Sequence, residues 1–218
     1  MVFTTRSFKS AALDAFALLL LAVCLCLPWA PAARAAAPTE ITQLRTERTD
    51  DGVYLSAVVR FDVPAVVEDA LLKGIAVYFV VEAEVYRDRW YWTDQRVSSA
   101  ARTLRLAYQP LTGRWRVNIV SGLITSSTGL RATLSQNYET LPDALSAIQR
   151  VSHWKIAEVS EVEPGETYTL NLNFWLDLSQ LPRPFQIGVA GQRDWTISAQ
   201  ARDRLRLMPV PPAAEGGK

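Results

Sequence analysis

The chain contains 218 residues, of which 49% are hydrophobic and 21% charged, and its formal net charge is +1 at pH 7. A charge so close to zero provides no long-range field for nucleic acid or an anionic membrane surface, which argues against both as partners. The single histidine also excludes metal clusters built from several histidines and catalysis by a histidine pair.

The N-terminus has the pattern of an export signal. Arg6 and Lys9 form a positively charged start, and an apolar run too short to span a bilayer comfortably extends from Ala15 to Leu27. An Ala-Arg-Ala sequence that ends at Ala35 matches the small residues that signal peptidase recognises. We therefore expect a periplasmic protein, cleaved between Ala35 and Ala36, in which only the uncleaved precursor contacts the membrane.

Two alternatives remain for this N-terminus. An uncleaved anchor would use the apolar segment from Ala11 to Leu27, although Asp14 lies within it. A lipoprotein would modify Cys24 or Cys26, but these follow valine and leucine where that modification prefers a small residue. With cleavage, the mature chain contains no cysteine, so its core must stabilise the fold without disulfides.

The composition divides the chain into three parts. We expect residues 1–35 to be the cleaved signal, residues 36–208 a single domain, and residues 209–218 a disordered tail. The tail is rich in Pro, Ala and Gly and has little apolar surface to bury. The central part is long enough to bury a substantial core.

Alternating hydrophobic residues predict antiparallel strands. Two pairs of strands are separated by turn residues, and each pair is predicted to form a hairpin, 41–49 with 53–61 and 104–108 with 115–119. The clearest strand runs from Tyr168 to Leu178, with Phe174 on its apolar face and Asn171, Asn173 and Trp175 on the other.

Two short helices interrupt the strands. Pro64 suits the first position of one helix and Gly74 its end, whereas the other is predicted over 141–151 with Thr140 as its cap. Their apolar stripes comprise Val66, Val67, Ala70 and Leu71 in the first helix, and Leu141, Ala144, Leu145 and Ile148 in the second. Many strands and few helices predict a mainly β fold, an antiparallel β-sandwich of immunoglobulin-like general architecture.

The strand that begins at Ile75 changes character after Val85. Up to that residue hydrophobic side chains alternate, and beyond it arginines and large aromatics are interleaved, as a bulge or an extension of the strand beyond the sandwich would explain. Interfaces favour Arg, Trp and Tyr, which predicts a surface that binds a protein or a glycan. This predicted surface comprises Arg87, Arg89, Trp90, Tyr91 and Trp92, together with Trp175, which lies among amide residues. The alternative is that Trp90 and Trp92 fill the core at a sheet corner, shielded by the arginines.

No group of residues predicts catalysis. We expect His153 to open a strand, because no G-x-S-x-G motif accompanies any serine that could act with it. Glu82 and Glu84 share a strand face, as the acids of a glycosidase can, but such pairs are common on solvated strands. Three further tryptophans alternate with aliphatic residues and are expected in the core: Trp115, Trp154 and Trp195. We expect that the protein is not an enzyme, and the less favoured alternative is a hydrolase. We also expect that it binds neither a cofactor nor a metal ion.

Six runs of sequence together resemble an exported proteobacterial family, domain of unknown function 4390. They are ALLKGI from Ala70, VYRDRWYW over 85–92, LRLAYQPLTGRWRV over 104–117, LPDAL from Leu141, LDLSQLPRPFQI over 176–187 and RDWTIS over 193–198. The family has no established activity, so the resemblance implies no site residue. It does imply a link to envelope signalling, because members lie near genes for sensor histidine kinases.

These observations predict an exported, non-catalytic protein-interaction module of the cell envelope. The resemblance makes a membrane sensor kinase a candidate partner. The alternative is a ligand- or glycan-binding domain that uses exposed tryptophans. Pulldown from envelope extracts and binding assays with sugars distinguish the two.

Overall fold

The computed structural model describes residues 38–89, 94–123, 133–183, 185–186 and 195–205. The chain divides into two units, Met1–Ala35 and Ala36–Lys218, and every described residue belongs to the second. The predicted export signal and the predicted C-terminal tail lie outside the described residues.

The described chain alternates hairpins with two short helices. Its first half contains β1 (Glu40–Thr49), β2 (Gly52–Arg60), α1 (Ala65–Leu72), β3 (Val77–Arg87), β4 (Gln95–Gln109) and β5 (Arg114–Ser121). Its second half contains β6 (Thr133–Tyr138), α2 (Leu141–Gln149), β7 (Arg150–Glu158), β8 (Tyr168–Leu176) and β9 (Ser198–Leu205). Single 3₁₀ turns occupy Val159–Glu161 and Leu178–Gln180.

The strands form two antiparallel sheets that share one hydrophobic core. The smaller sheet has the order β1-β2-β7 and the larger the order β6-β5-β4-β3-β8-β9. Phe61, which follows β2, lies 5.2 Å from both Phe79 of β3 and Phe174 of β8 between ring centroids, so the core joins the two sheets. The predicted mainly β architecture is thereby confirmed, and the two sheets have the arrangement of a sandwich.

Both predicted hairpins are present. Thr49 pairs with Gly52 at the end of the first, and Gln109 pairs with Arg114 at the end of the second. Gly113 adopts a φ of 65° in the second turn and donates its N–H to the carbonyl of Gln109. A residue without a Cβ is favoured at that position, which is why the turn sequence could be recognised.

The predicted β8 strand is confirmed, but it ends two residues early. Tyr168, Leu170, Leu172, Phe174 and Leu176 are all buried, as the alternation indicated. The Asp177 carboxylate then accepts a hydrogen bond from the backbone of Ser179 and starts a 3₁₀ turn at Leu178. Local capping by an aspartate therefore overrides the hydrophobic alternation at the end of the strand.

The helices match the prediction with corrections at their ends. In α1, Val66 is 36% exposed rather than part of the buried stripe, and Pro64 is the extended residue before the helix. The N–H of Gly74 donates to the carbonyl of Leu71, and the N–H of Ile75 donates to the carbonyl of Ala70. These two hydrogen bonds end α1 as a Schellman motif.

The second helix, α2, begins as predicted but is shorter than the sequence suggested. The Thr140 hydroxyl accepts the N–H of Asp143, which confirms the predicted cap. The helix ends at Gln149 rather than at residue 151, because Arg150 is extended and pairs with Val58 as the first residue of β7. Pairing within the sheet therefore decides where α2 ends.

Candidate interaction surface

The change of pattern after Val85 coincides with a bulge and an extension of β3. Pairing of β3 with β4 shifts between Val85 and Tyr86, whereas pairing with β8 continues to Arg87 opposite Tyr168. A bulge on one side lets the strand carry a polar residue at a position that the alternation assigns to the core. Arg87 is that residue.

Arg87 is held within the fold. One guanidinium N–H donates to the Tyr168 hydroxyl at 3.3 Å, and the same nitrogen lies 2.9 Å from a carboxylate oxygen of Glu163. The guanidinium also lies 5.7 Å from the centroid of the Tyr168 ring. The hydrogen bonds to Tyr168 and Glu163 raise the pKa of Arg87 above its ordinary value. Arg87 therefore closes the end of the core above the buried Tyr168 ring.

Two aspartates, Asp88 and Asp94, lie on the two sides of residues 90–93, and we call these two flanking positions the stems of the predicted binding segment. Asp88 donates its N–H to the carbonyl of Thr167, and its carboxylate accepts the Thr169 hydroxyl at 2.7 Å. On the returning stem, the Asp94 carboxylate lies 3.5 Å from the guanidinium of Arg202 on β9. Both stems are thus attached to the β8–β9 side of the large sheet.

Arg89, in contrast, has an exposed side chain. Its backbone N–H donates to Asp94, and its guanidinium donates to the side-chain oxygen of Gln95. Both contacts lie at the surface, so the guanidinium remains open to a partner. Its exposure agrees with the expectation for this part of the segment. Trp90, Tyr91 and Trp92 lie outside the described residues, and the predictions about them stay predictions.

A charged hollow lies beside these stems. It has a volume of about 380 Å³ and is lined by Asp88, Asp94, Thr169, Arg202, Asp203 and Arg204. Arg202 and Arg204 are exposed, and both project from β9 beside the stem residue Asp88. Arg202 already faces the Asp94 carboxylate, whereas Arg89 and Arg204 form no ion pair with a described residue and can offer their guanidinium donors to other carboxylates. We call Arg89, Arg202 and Arg204 the arginine surface.

Trp175 lies in a different place from the arginine surface. It is half-buried on the outer face of the large sheet, opposite Val80 of β3 and Ser198 of β9. Trp175 lies seven positions along β8 from Tyr168, the residue opposite Arg87, which corresponds to about 24 Å along a strand. A hollow of about 360 Å³ beside Trp175 is also lined by Asn173 and Gln200.

The two glutamates of β3 lie on the same outer face. Glu84 accepts hydrogen bonds from Arg96 at 2.8 Å and from the Tyr86 hydroxyl at 3.0 Å. Glu82 has no such partner among the described residues, and partial burial, followed by the negative charge of Glu84, raises its pKa. Glu84 is therefore engaged in an ion pair with Arg96, whereas Glu82 is not.

The prediction for His153 is wrong in its position. His153 is the fourth residue of β7, not the first, and it has a φ of 43° at a register shift between Leu55 and Ala57 of β2. Its ring stacks on Tyr54 with the centroids 4.0 Å apart. The spacing of three between the buried Val151 and Trp154 was the available sequence signal for this bulge.

Within the described ranges, no three or more His, Cys, Asp or Glu side chains are grouped so that they could hold a metal ion. No helix among those residues is both long enough and apolar enough to cross a membrane.

A family model described as domain of unknown function (DUF4390) matches residues 36–205, which includes all the described elements and confirms the resemblance noted from the sequence. No curated protein and no solved structure shows a significant match.

Proposed function

We propose that this chain, which belongs to the DUF4390 family, is a non-catalytic protein-interaction module of the cell envelope. The observation that carries the proposal is the contrast between Arg87 and Arg89. Arg87 is committed to Tyr168 and Glu163, whereas Arg89 lies two residues further along with its side chain exposed. Arg87 thus anchors the proposed binding segment to the core, and Arg89 is exposed to contact a partner.

Attachment of both stems favours binding by limiting the entropy lost on association. Asp88 and Asp94 tie the stems to β8 and β9 through Thr169 and Arg202. A segment whose ends are already ordered has fewer conformations to lose when a partner binds. Arginine and the aromatic residues that follow it are the side chains that most often dominate interface energies.

We propose that the partner is an envelope protein that presents carboxylates to the arginine surface. Arginine binds carboxylates through two parallel N–H donors, which favours an acidic patch on the partner. The outer part of a membrane sensor kinase is our candidate, on the strength of the family resemblance. The near-neutral net charge argues against nucleic acid as a partner.

Substitution of Arg89 tests the interaction. Arg89→Ala is expected to weaken capture of the envelope partner at least tenfold, a loss of about 1.4 kcal/mol or more, because an exposed interface anchor is removed. The free energy of unfolding should change by no more than about 0.5 kcal/mol, since the side chain has only surface contacts. Capture from envelope extracts and urea unfolding measure the two effects.

Two control substitutions separate binding from stability. Arg114→Ala removes an exposed arginine at the opposite end of the large sheet and should leave capture unchanged. Arg87→Ala should instead reduce stability, because Tyr168 and Glu163 lose a charged partner. A large stability loss for Arg89→Ala, with capture unaffected in the folded molecules, would contradict the proposal. Glycan binding that Trp175→Ala abolishes would favour the alternative function.

We further propose that the protein is periplasmic and that its N-terminal segment is removed after Ala35. The family match begins at residue 36, which is compatible with a functional domain that starts there. Intact mass of the protein recovered from the periplasm should correspond to a chain beginning at Ala36. Recovery of a full-length species only from the membrane fraction would contradict this expectation.

A further inference from the structure

The edge strand β6 has an open side. It pairs with β5 through one edge, and its other edge has no partner strand among the described residues. Leu134 is 59% exposed although it occupies the core-facing side of β6, opposite the half-buried Ile119. Ser135, Gln136 and Asn137 are exposed as well. Open N–H and C=O groups on such an edge can pair with another strand.

The other three edge strands carry the features that prevent such pairing. Charged residues occupy β1, β7 and β9: Glu40, Arg45, Glu47 and Arg48; Arg150, Lys155 and Glu158; Arg202, Asp203 and Arg204. The pairing of β1 and of β7 with β2 is also interrupted by bulges. Charges and bulges are the usual protection of an edge. The β6 sequence, TLSQNY, contains no charge, proline or glycine.

We infer that β6 pairs with β6 of a second copy of this chain, antiparallel, so that the two large sheets become one continuous sheet across a two-fold axis. Antiparallel self-pairing places the central residue of the strand opposite its own copy, so a charge at or near the centre would lie close to a like charge. An uncharged strand avoids that repulsion. The C-terminal segment 209–218 is a poor occupant, because its three prolines lack the N–H groups that a paired strand needs.

The alternation of side chains and the length of β6 restrict this pairing to registers centred near Ser135 or Gln136. Residues that face each other must project from the same side of the sheet, which requires a residue to lie opposite its own copy or one an even number of positions away. With Gln136 opposite Gln136, Leu134 faces Tyr138 of the second copy and Ser135 faces Asn137. The exposed Leu134 is then covered by an aromatic ring, whereas centring on Ser135 would place Leu134 against Gln136.

Charges of either sign introduced at Gln136, the residue on the two-fold axis, test this register. Protein produced from the full-length chain is expected to self-associate in sedimentation equilibrium at concentrations up to about 1 mM. Gln136→Lys and Gln136→Glu should each weaken self-association at least tenfold, because like charges face each other. Mixing them should restore it, and a tagged Gln136→Lys copy should capture an untagged Gln136→Glu copy.

The matched control is Gln200→Lys, which adds the same charge to an exposed glutamine on the edge strand β9. It should leave self-association unchanged. Circular dichroism verifies that each variant is folded. A wild-type protein that remains monomeric throughout the concentration range would overturn the inference. So would self-association that is insensitive to Gln136→Lys or equally weakened by Gln200→Lys.

Discussion

Phe174→Ala is expected to lower the free energy of unfolding by about 3–5 kcal/mol. Phe174 is 1% exposed, and its ring centroid lies 5.7 Å from that of Phe79 and 5.2 Å from that of Phe61. Its strand lies between β3 and β9. Truncation therefore leaves a cavity that neighbouring strands, held by pairing on both sides, can fill only in part.

The control for this prediction is the preceding residue. Asn173 projects from the opposite face of β8, where it is partly exposed. Asn173→Ala should cost less than about 1 kcal/mol, because little apolar contact is lost. Urea denaturation with a common slope gives the two values. Equal shifts of the two midpoints would contradict the observed facing of β8.

Trp154→Ala, a separate substitution, is also expected to lower the free energy of unfolding by about 3–5 kcal/mol. Trp154 is 4% exposed and lies opposite Leu55 in the small sheet. The guanidinium of Arg102, on β4 of the large sheet, lies 4.9 Å from its ring centroid. Burial lowers the pKa of Arg102, so the ring stabilises a cation that has lost part of its hydration. The substitution removes core volume and this contact between the sheets together.

The comparison for Trp154 is the half-buried Trp175 on the outer face. Trp175→Ala should cost clearly less, about 1–2 kcal/mol, because Trp175, which pairs with Val80 of β3, is only half-buried. Arg102→Met retains the packing near Trp154 and isolates the cation's contribution. Thermal unfolding of the three variants gives the order. A cost for Trp175→Ala as large as that for Trp154→Ala would show that an unrecognised layer covers the outer face.

The strands that pack against the core could be predicted because burial of one face imposes a period of two on hydrophobic residues. The alternation from Val77 to Val85 and from Tyr168 to Leu176 therefore identified β3 and β8. No prediction could be made where such a pattern is missing. β6 is polar and mostly exposed, and only its pairing with β5 makes it a strand.

For the candidate site too, some features could be predicted from the sequence and others could not. The break in alternation after Val85 singled out the segment that includes Arg87 and Arg89, because arginine beside large aromatics is unusual in a core strand. Their different roles could not be predicted, since Arg87 meets Tyr168, a residue 81 positions away. The sequence also grouped Trp175 with this segment, whereas the strand register places it about 24 Å away along β8.

The amino-acid sequence by itself determined which side chains are buried and where the chain turns. Hydrophobicity and turn preference are properties of single residues and their near neighbours. This sufficed for the two hairpins, the Thr140 cap and the buried tryptophans Trp115, Trp154 and Trp195. Only the tertiary structure decided which polar groups meet and which strand edges remain open. Those contacts depend on the register between strands distant in the chain, and register arises from the packing of the whole core.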